Sequence, residues 1–159
     1  MTNQIPATLD RPSVDLSLIK LRLVVGSIFA AHGAQKLFGA FGGPGLRAMV
    51  EMMGPLGFFV TIGEFFGGLG LVVGFLCRFS AASLIVIMIG AIAMVHGRNG
   101  FFLGSGPEST LAEAGFEYNL ALIGLLAPIL LAGPGRFSIG RFLPLPKSAK
   151  TGRPILVLE

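Results

Sequence analysis

The sequence predicts an all-α membrane protein, a bundle of four transmembrane helices with both termini cytoplasmic. Three observations carry this. Hydrophobic residues are 53% of the 159-residue chain and charged residues only 13%, about half the charged share usual in soluble domains. The mean hydropathy is +0.81, which leaves too little polar side chain to cover a soluble fold. The apolar residues form four continuous runs broken by glycine more often than by charge; runs of this length argue for helices and against alternating barrel strands. Disorder, collagen and disulfide scaffolds are excluded, since the 24 glycines follow no triplet and Cys77 is the one cysteine. Paired-thiol redox chemistry within the chain is excluded with them.

Residues 1–17 read as a cytoplasmic N-terminal segment, 18–143 as the transmembrane domain and 144–159 as a basic cytoplasmic tail. The first span, 18–38, gives roughly 31 Å of helix at ~1.5 Å per residue, enough to cross a bilayer core. It is too long for the apolar stretch of a signal peptide and has no basic start before it. The spacing places the second span at 57–76 and the third at 79–95, joined by a tight turn at Cys77-Arg78. The fourth, 111–132, opens on Thr110-Leu111-Ala112-Glu113, a capping-box pattern, and carries Pro128, expected to kink it. Between the first two spans, Leu46, Met49, Val50 and Met53 fall on one helical face away from Arg47 and Glu51. That suits a short interfacial helix; a glycine-rich loop at the headgroups fits equally. Phe101 and Phe102 are candidate interfacial anchors after the third span. Nine of the twelve basic residues fall on the side of the termini and three, Lys36, Arg47 and Arg98, on the other. The positive-inside rule therefore places both termini in the cytoplasm. The basic tail either lies against anionic lipid or serves as the orientation signal alone.

Ionisable side chains inside a span are costly and face protein or a watery pocket, so each is a functional candidate. Here they converge. Near its outer end the first span carries His32, Gln35 and Lys36 on one face. Glu64 lies roughly 10 Å below the outer end of the second span at ~1.5 Å per residue. The third ends in His96, Arg98 and Asn99, and the fourth starts with Glu117, Tyr118 and Asn119. The cytoplasmic half holds far less, chiefly Arg22 and Arg78. Plainer roles stand beside the functional ones: Lys36 snorkelling to headgroups, His96 and Arg98 marking a helix end, His32 donating to a backbone carbonyl. Glu64 is harder to dismiss, because a carboxylate at that depth needs a proton or a cationic partner. Lys36, His32 and His96 are the available partners, and such a pair could also serve only to hold the bundle in register. Gly63/Gly67 and Gly70/Gly74 are G-x-x-x-G pairs that allow close helix approach, against small residues such as Ser80, Ala81, Ser83, Gly90 and Ala91.

No phosphate loop or dinucleotide motif is present, and nucleic acid is not a partner, since the basic charge follows a membrane face. A zinc site would have only His32, His96 and Glu64, without recognisable spacing, so no metal is assigned. Two histidines at similar depth could ligate a haem axially, a lesser alternative.

Arg22, Gly26, Phe29, His32-Gly33 and Lys36-Leu37-Phe38-Gly39, then Gly63-Glu64, Gly67-Gly68, Leu71, Gly74 and Arg78, then His96, Gly100-Phe101-Phe102, Glu117-Tyr118 and Gly133-Pro134-Gly135-Arg136-Phe137-Ser138, resemble the DoxX family of bacterial membrane proteins. The likeness runs over about 21–143; Gly140 departs from it, where many relatives carry Asp. The resemblance implies a small four-helix protein of the bacterial inner membrane. It is more distantly similar to the membrane subunit of thiosulfate:quinone oxidoreductase. Other members are associated with oxidative stress and with quinone or thiol detoxification, often beside soluble redox proteins. On that footing the pocket is expected to bind a quinone or similar small lipophilic molecule. His32 and Lys36 would donate to it with His96 opposite, Glu64 would accept the proton, and Tyr118 and Asn119 would orient the ring. No electron carrier is visible in the chain, so it is expected as a subunit of a quinone-linked oxidoreductase rather than an enzyme by itself, and an oligomer is compatible. The alternatives are a proton-coupled small-molecule carrier, and a membrane scaffold that recruits soluble redox enzymes through its tail.

Overall fold

The computed structural model describes residues 11–104 and 114–142, and these are all-helical. Helix α1 (Arg11–Phe38) begins earlier than the first span, inside the segment expected to precede it. Its Pro12 sits in the first turn, where a missing N–H leaves no bond unmade. A short 3-10 turn (Ala40–Gly42) leads to α2 (Gly45–Met53). Of the two expectations for this stretch the helix forms, with Met49 buried beneath it and an exposed Arg47–Glu51 pair, 2.8 Å, on its outer face.

Helix α3 (Pro55–Val73) starts with proline, which is pre-set for a first helical position. It ends at Gly74, whose φ of +79° lets its N–H turn back to the Gly70 carbonyl at 2.9 Å. The turn between the two hairpin helices is therefore Gly74–Leu76 and not Cys77-Arg78. Both of those residues already belong to α4 (Cys77–Ala91). Helix α4 continues through a π turn (Ile92–His96) and a 3-10 turn (Gly97–Asn99). By length and composition Pro55–Val73, 19 residues, and Cys77–Asn99, 23 residues, are long and apolar enough to cross a membrane.

The last long helix, α5, runs Glu117–Ala132 and continues through Pro128. The expected start at 111 is corrected. Residues 114–116 are not helical, because Gly115 and Phe116 donate their N–H groups to the carbonyls of Phe102 and Gly100, at 2.8 and 3.1 Å. Glu117 does the same to Phe101, at 2.9 Å. These bonds serve N–H groups at the start of α5 that a helix cannot satisfy internally. Thr110 to Glu113 lie outside the described residues, as does the tail 144–159.

Packing is set by glycine, in two ways. Between α1 and α3, backbone meets backbone: a methyl on Gly33 would overlap the backbone of Phe65, and one on Gly68 would overlap Ala30 and the Gly26 carbonyl. Between α3 and α4, large side chains fill glycine gaps. Ile87, Leu84 and Ser80 stand over Gly63, Gly67 and Gly70, at 2.7, 3.2 and 2.7 Å from where a methyl would sit. The expected match of small residue to small residue holds for Ser80 alone in this row, and Gly90 faces open space. Val25, Phe29, Leu71, Leu84, Leu122, Leu126 and Ile129 fill the centre of the bundle.

The end at which the described chain begins and ends is closed by Arg22, which is 1% exposed. Its Nε donates to the Leu71 carbonyl at 3.0 Å, in the last turn of α3, and its Nη1 donates to Pro134 and Phe137 at 2.6 and 2.7 Å. Asp15 accepts the Arg136 N–H at 2.9 Å, and Arg78 donates to the Leu131 carbonyl at 2.9 Å, at the end of α5. A cation beside a helix C-terminus meets both unpaired carbonyls and the negative end of the dipole. This end, expected to be sparse in function-bearing polar groups, holds the densest side-chain-to-backbone network of the described fold.

Replacing Gly33 by Leu, or Gly68 by Val, forces α1 from α3. Each is expected to lower stability by at least ~1–3 kcal/mol, the overpacking range, seen as a lower melting temperature of the solubilised protein. Gly90→Ala, which meets nothing within 4 Å, is expected to leave that temperature unchanged or raise it.

Candidate functional site

Glu64 lies halfway along α3 and is 2% exposed. Both of its oxygens accept hydrogen bonds from Lys36 Nζ, at 2.6 Å each. The partner comes from α1 because Gly33 brings that helix onto the backbone of Phe65, the residue after Glu64, and Lys36 follows Gly33 by about one turn. Of the partners open to Glu64 in the sequence, Lys36 is the one that pairs with it. The buried carboxylate and the half-buried ammonium offset part of each other's desolvation in such close, hydrogen-bonded geometry.

The pair forms one wall of a cavity of about 430 Å³. His32 and Lys36 of α1, Glu64 of α3, His96 after α4, and Tyr118 and Asn119 of α5 all line it. Every residue named from the sequence as a pocket candidate is thus brought to one cavity. They are not equivalent there. Glu64 and Asn119 are buried in the wall, whereas His32 and Tyr118 stand at the exposed rim. His96 Nδ1 lies 2.8 Å from the Ala114 carbonyl, which can only accept, so that ring nitrogen carries the hydrogen. Asn99 Nδ2 donates to the same carbonyl at 3.2 Å. The π turn at Ile92–His96 fits one extra residue into the helix and so re-aims His96 relative to an uninterrupted α4. Asn119 Nδ2 points at Met88 Sδ, 3.4 Å away.

Glu117, grouped with the outer polar residues by sequence, is not in the lining. Its Oε1 instead accepts the Leu103 N–H at 2.7 Å and so pins the loop after α4 to the start of α5. Sequence reasoning missed the apolar part of the wall, Phe29, Met88, Ala91, Leu103 and Leu122, and the backbone of Ala114 and Gly115. Met88 and Leu122 sit in continuously apolar runs, where nothing in the sequence separates a cavity-lining residue from a packing one. The Ala114 carbonyl carried no signal. Among the described residues no three His, Cys, Asp or Glu side chains gather as a metal site would require.

The DoxX family profile matches residues 17–97. Over 133 residues the chain is 33% identical to an uncharacterized membrane protein of Mycobacterium tuberculosis, covering 80% of this chain and 81% of that one. The chain belongs to the DoxX family. No solved structure matches it. The DoxX match runs from Ser17, inside α1, to Gly97 and takes in His32, Lys36, Glu64 and His96, while Tyr118 and Asn119 lie beyond it. It also ends before the Gly133–Ser138 motif held by Arg22 and Asp15.

Removing one partner of the buried pair leaves the other charge stranded. Lys36→Met is expected to cost about 3–5 kcal/mol. The double variant Lys36→Met/Glu64→Leu should recover most of that loss, because no unpaired charge remains. Thermal unfolding of the four proteins of this cycle measures the coupling; losses that simply add would mean the pair does not act as one unit.

Proposed function

We propose that this DoxX protein is a redox-linked membrane subunit whose polar cavity binds a quinone or a similar small lipophilic molecule. The observation that carries the proposal is the cavity itself: four helices contribute polar side chains to one space that includes the Lys36–Glu64 ion pair, beside an apolar centre. A bilayer-borne ring with two oxygens needs hydrogen bonds at its edge and apolar contact on its faces. Lys36, His32 and Tyr118 supply donors, and Phe29, Met88 and Leu122 supply the apolar contact. Because Lys36 and Glu64 cancel each other's charge, a neutral ligand is favoured over an ion. Electrons would come from a partner, since no carrier is evident in the sequence. A role in oxidative stress or in quinone and thiol detoxification is part of the same proposal.

The topology proposed with it has α1, α3, α4 and α5 each crossing the inner membrane, with both termini cytoplasmic. Helix α1 is 28 residues long, roughly 42 Å at ~1.5 Å per residue. Helix α5, 16 residues, is shorter than a bilayer core, and the loop strapped to its start by Gly100–Phe102 completes the crossing. A reporter active only outside the cytoplasm is expected to be silent when fused after Glu159 and active when fused after Gly104; the reverse pattern would invert the topology.

Tyr118 makes binding measurable. It is the single tyrosine of a chain without tryptophan, so tyrosine emission reports on the cavity alone. Titration of the solubilised protein with 1,4-naphthoquinone is expected to quench that emission saturably at one site. Glu64→Gln and Lys36→Met should weaken binding about tenfold or more, the scale of a lost charged hydrogen bond. Quenching that rises without saturation, as partition into the micelle would give, overturns the proposal.

A further inference from the structure

We infer, on the strength of the quinone reading above, that the cavity is built for a hydroxylated ring, the reduced member of a quinone couple, and that His96 is the acceptor that selects it. The argument is a count of hydrogen-bond donors and acceptors. The Ala114 carbonyl takes the hydrogen on His96 Nδ1 and an N–H of Asn99. That fixes the tautomer: in the neutral ring, Nε2 is left as an acceptor with a lone pair. The orientation of Asn119 is fixed in the same way. A thioether sulfur accepts and cannot donate, so the amide nitrogen faces Met88 and Oδ1 remains as an acceptor. Both Glu64 oxygens take an N–H from Lys36, and each keeps accepting capacity.

A quinone brings two carbonyl oxygens and no hydrogen to donate. It can use Lys36, His32 and Tyr118, but it brings no hydrogen to His96 Nε2 or Asn119 Oδ1, so the acceptors of the lining go unused by it. A dihydroxyarene of the same shape donates an O–H to His96 Nε2 while its oxygens still accept from Lys36. The site therefore favours the reduced form, and a couple bound there is more easily reduced than the same couple free in the membrane, by the ratio of its two dissociation constants. His96 acts as a specificity-determining residue, and the π turn and the Ala114 carbonyl are what aim it.

The test is calorimetric titration of the full chain in detergent, without oxygen, at about pH 8, above the ordinary imidazole range. The probes are 1,4-dihydroxynaphthalene, its dimethyl ether, which has no O–H, and 1,4-naphthoquinone. The diol is expected to bind roughly tenfold more tightly than either of the others, about the scale of one added hydrogen bond. If the quinone binds and the diol binds no more tightly, the inference is overturned while the quinone site stands. If none of the three binds, the quinone site itself fails and the inference with it. His96→Phe should abolish the preference for the diol over the quinone, whereas His96→Gln, which retains an acceptor, should keep part of it. A full preference in His96→Phe overturns the assignment to His96. The comparison of diol with dimethyl ether in the unaltered protein decides the donor argument even if His96→Phe does not fold.

Discussion

A carboxylate 2% exposed in the middle of an apolar helix can stay ionised only if a cation reaches it, and here the cation must come from another helix. Lys36 reaches Glu64 because α1 and α3 touch backbone to backbone, and they touch because Gly33 and Gly68 have no side chains to hold them apart. Packing and electrostatics are thus one constraint. A methyl at either glycine would push the helices apart and stretch the 2.6 Å contacts of the pair. Loss of Lys36 would in turn leave the buried Glu64 carboxylate without its partner. The cavity inherits its position from this contact, since the pair is one of its walls.

The two ends of the bundle solve different problems. At the end where the described chain begins and ends, the guanidinium of Arg22 is surrounded by backbone carbonyls of α3 and of the segment after α5. Arg78 does the same for the end of α5. Each helix C-terminus there gains donors that it lacks internally, and the bundle is tied shut. At the opposite end the polar groups are side chains from four helices, and only some of them satisfy one another. One end of the same small bundle is thus tied shut by side-chain-to-backbone bonds, and the other is left open around a cavity.

Much of this was legible in the sequence. Continuous apolar runs announced helices, and the depth of His32, Lys36, Glu64, His96, Tyr118 and Asn119 along those runs announced their convergence. Depth is arithmetic, at ~1.5 Å per residue, and it survives errors of a few residues at helix ends. What escaped was whatever depends on backbone polarity. The start of α5 was misread because Gly115 and Phe116 give their N–H groups to the loop after α4, a choice that no side chain signals. The turn was misplaced because Gly74 read as half of a packing motif, whereas its left-handed φ of +79° makes it a helix stop. Arg22 read as a sparse leftover because its partners are carbonyls, which every residue owns.

The same distinction bears on the cavity. Its side chains could be counted in advance, but which of their atoms donate and which accept is decided by neighbours that the sequence does not mark. The Ala114 carbonyl settles His96, and Met88 sulfur settles Asn119. Hydrogen-bond polarity is therefore imposed from behind the lining by groups that would not touch a ligand. A relative could keep every lining residue and still present a different pattern if the loop strapped to α5 moved its carbonyl away from His96. Preserving the chemistry of such a site requires preserving the strap, and Glu117, outside the cavity, holds it through the N–H of Leu103.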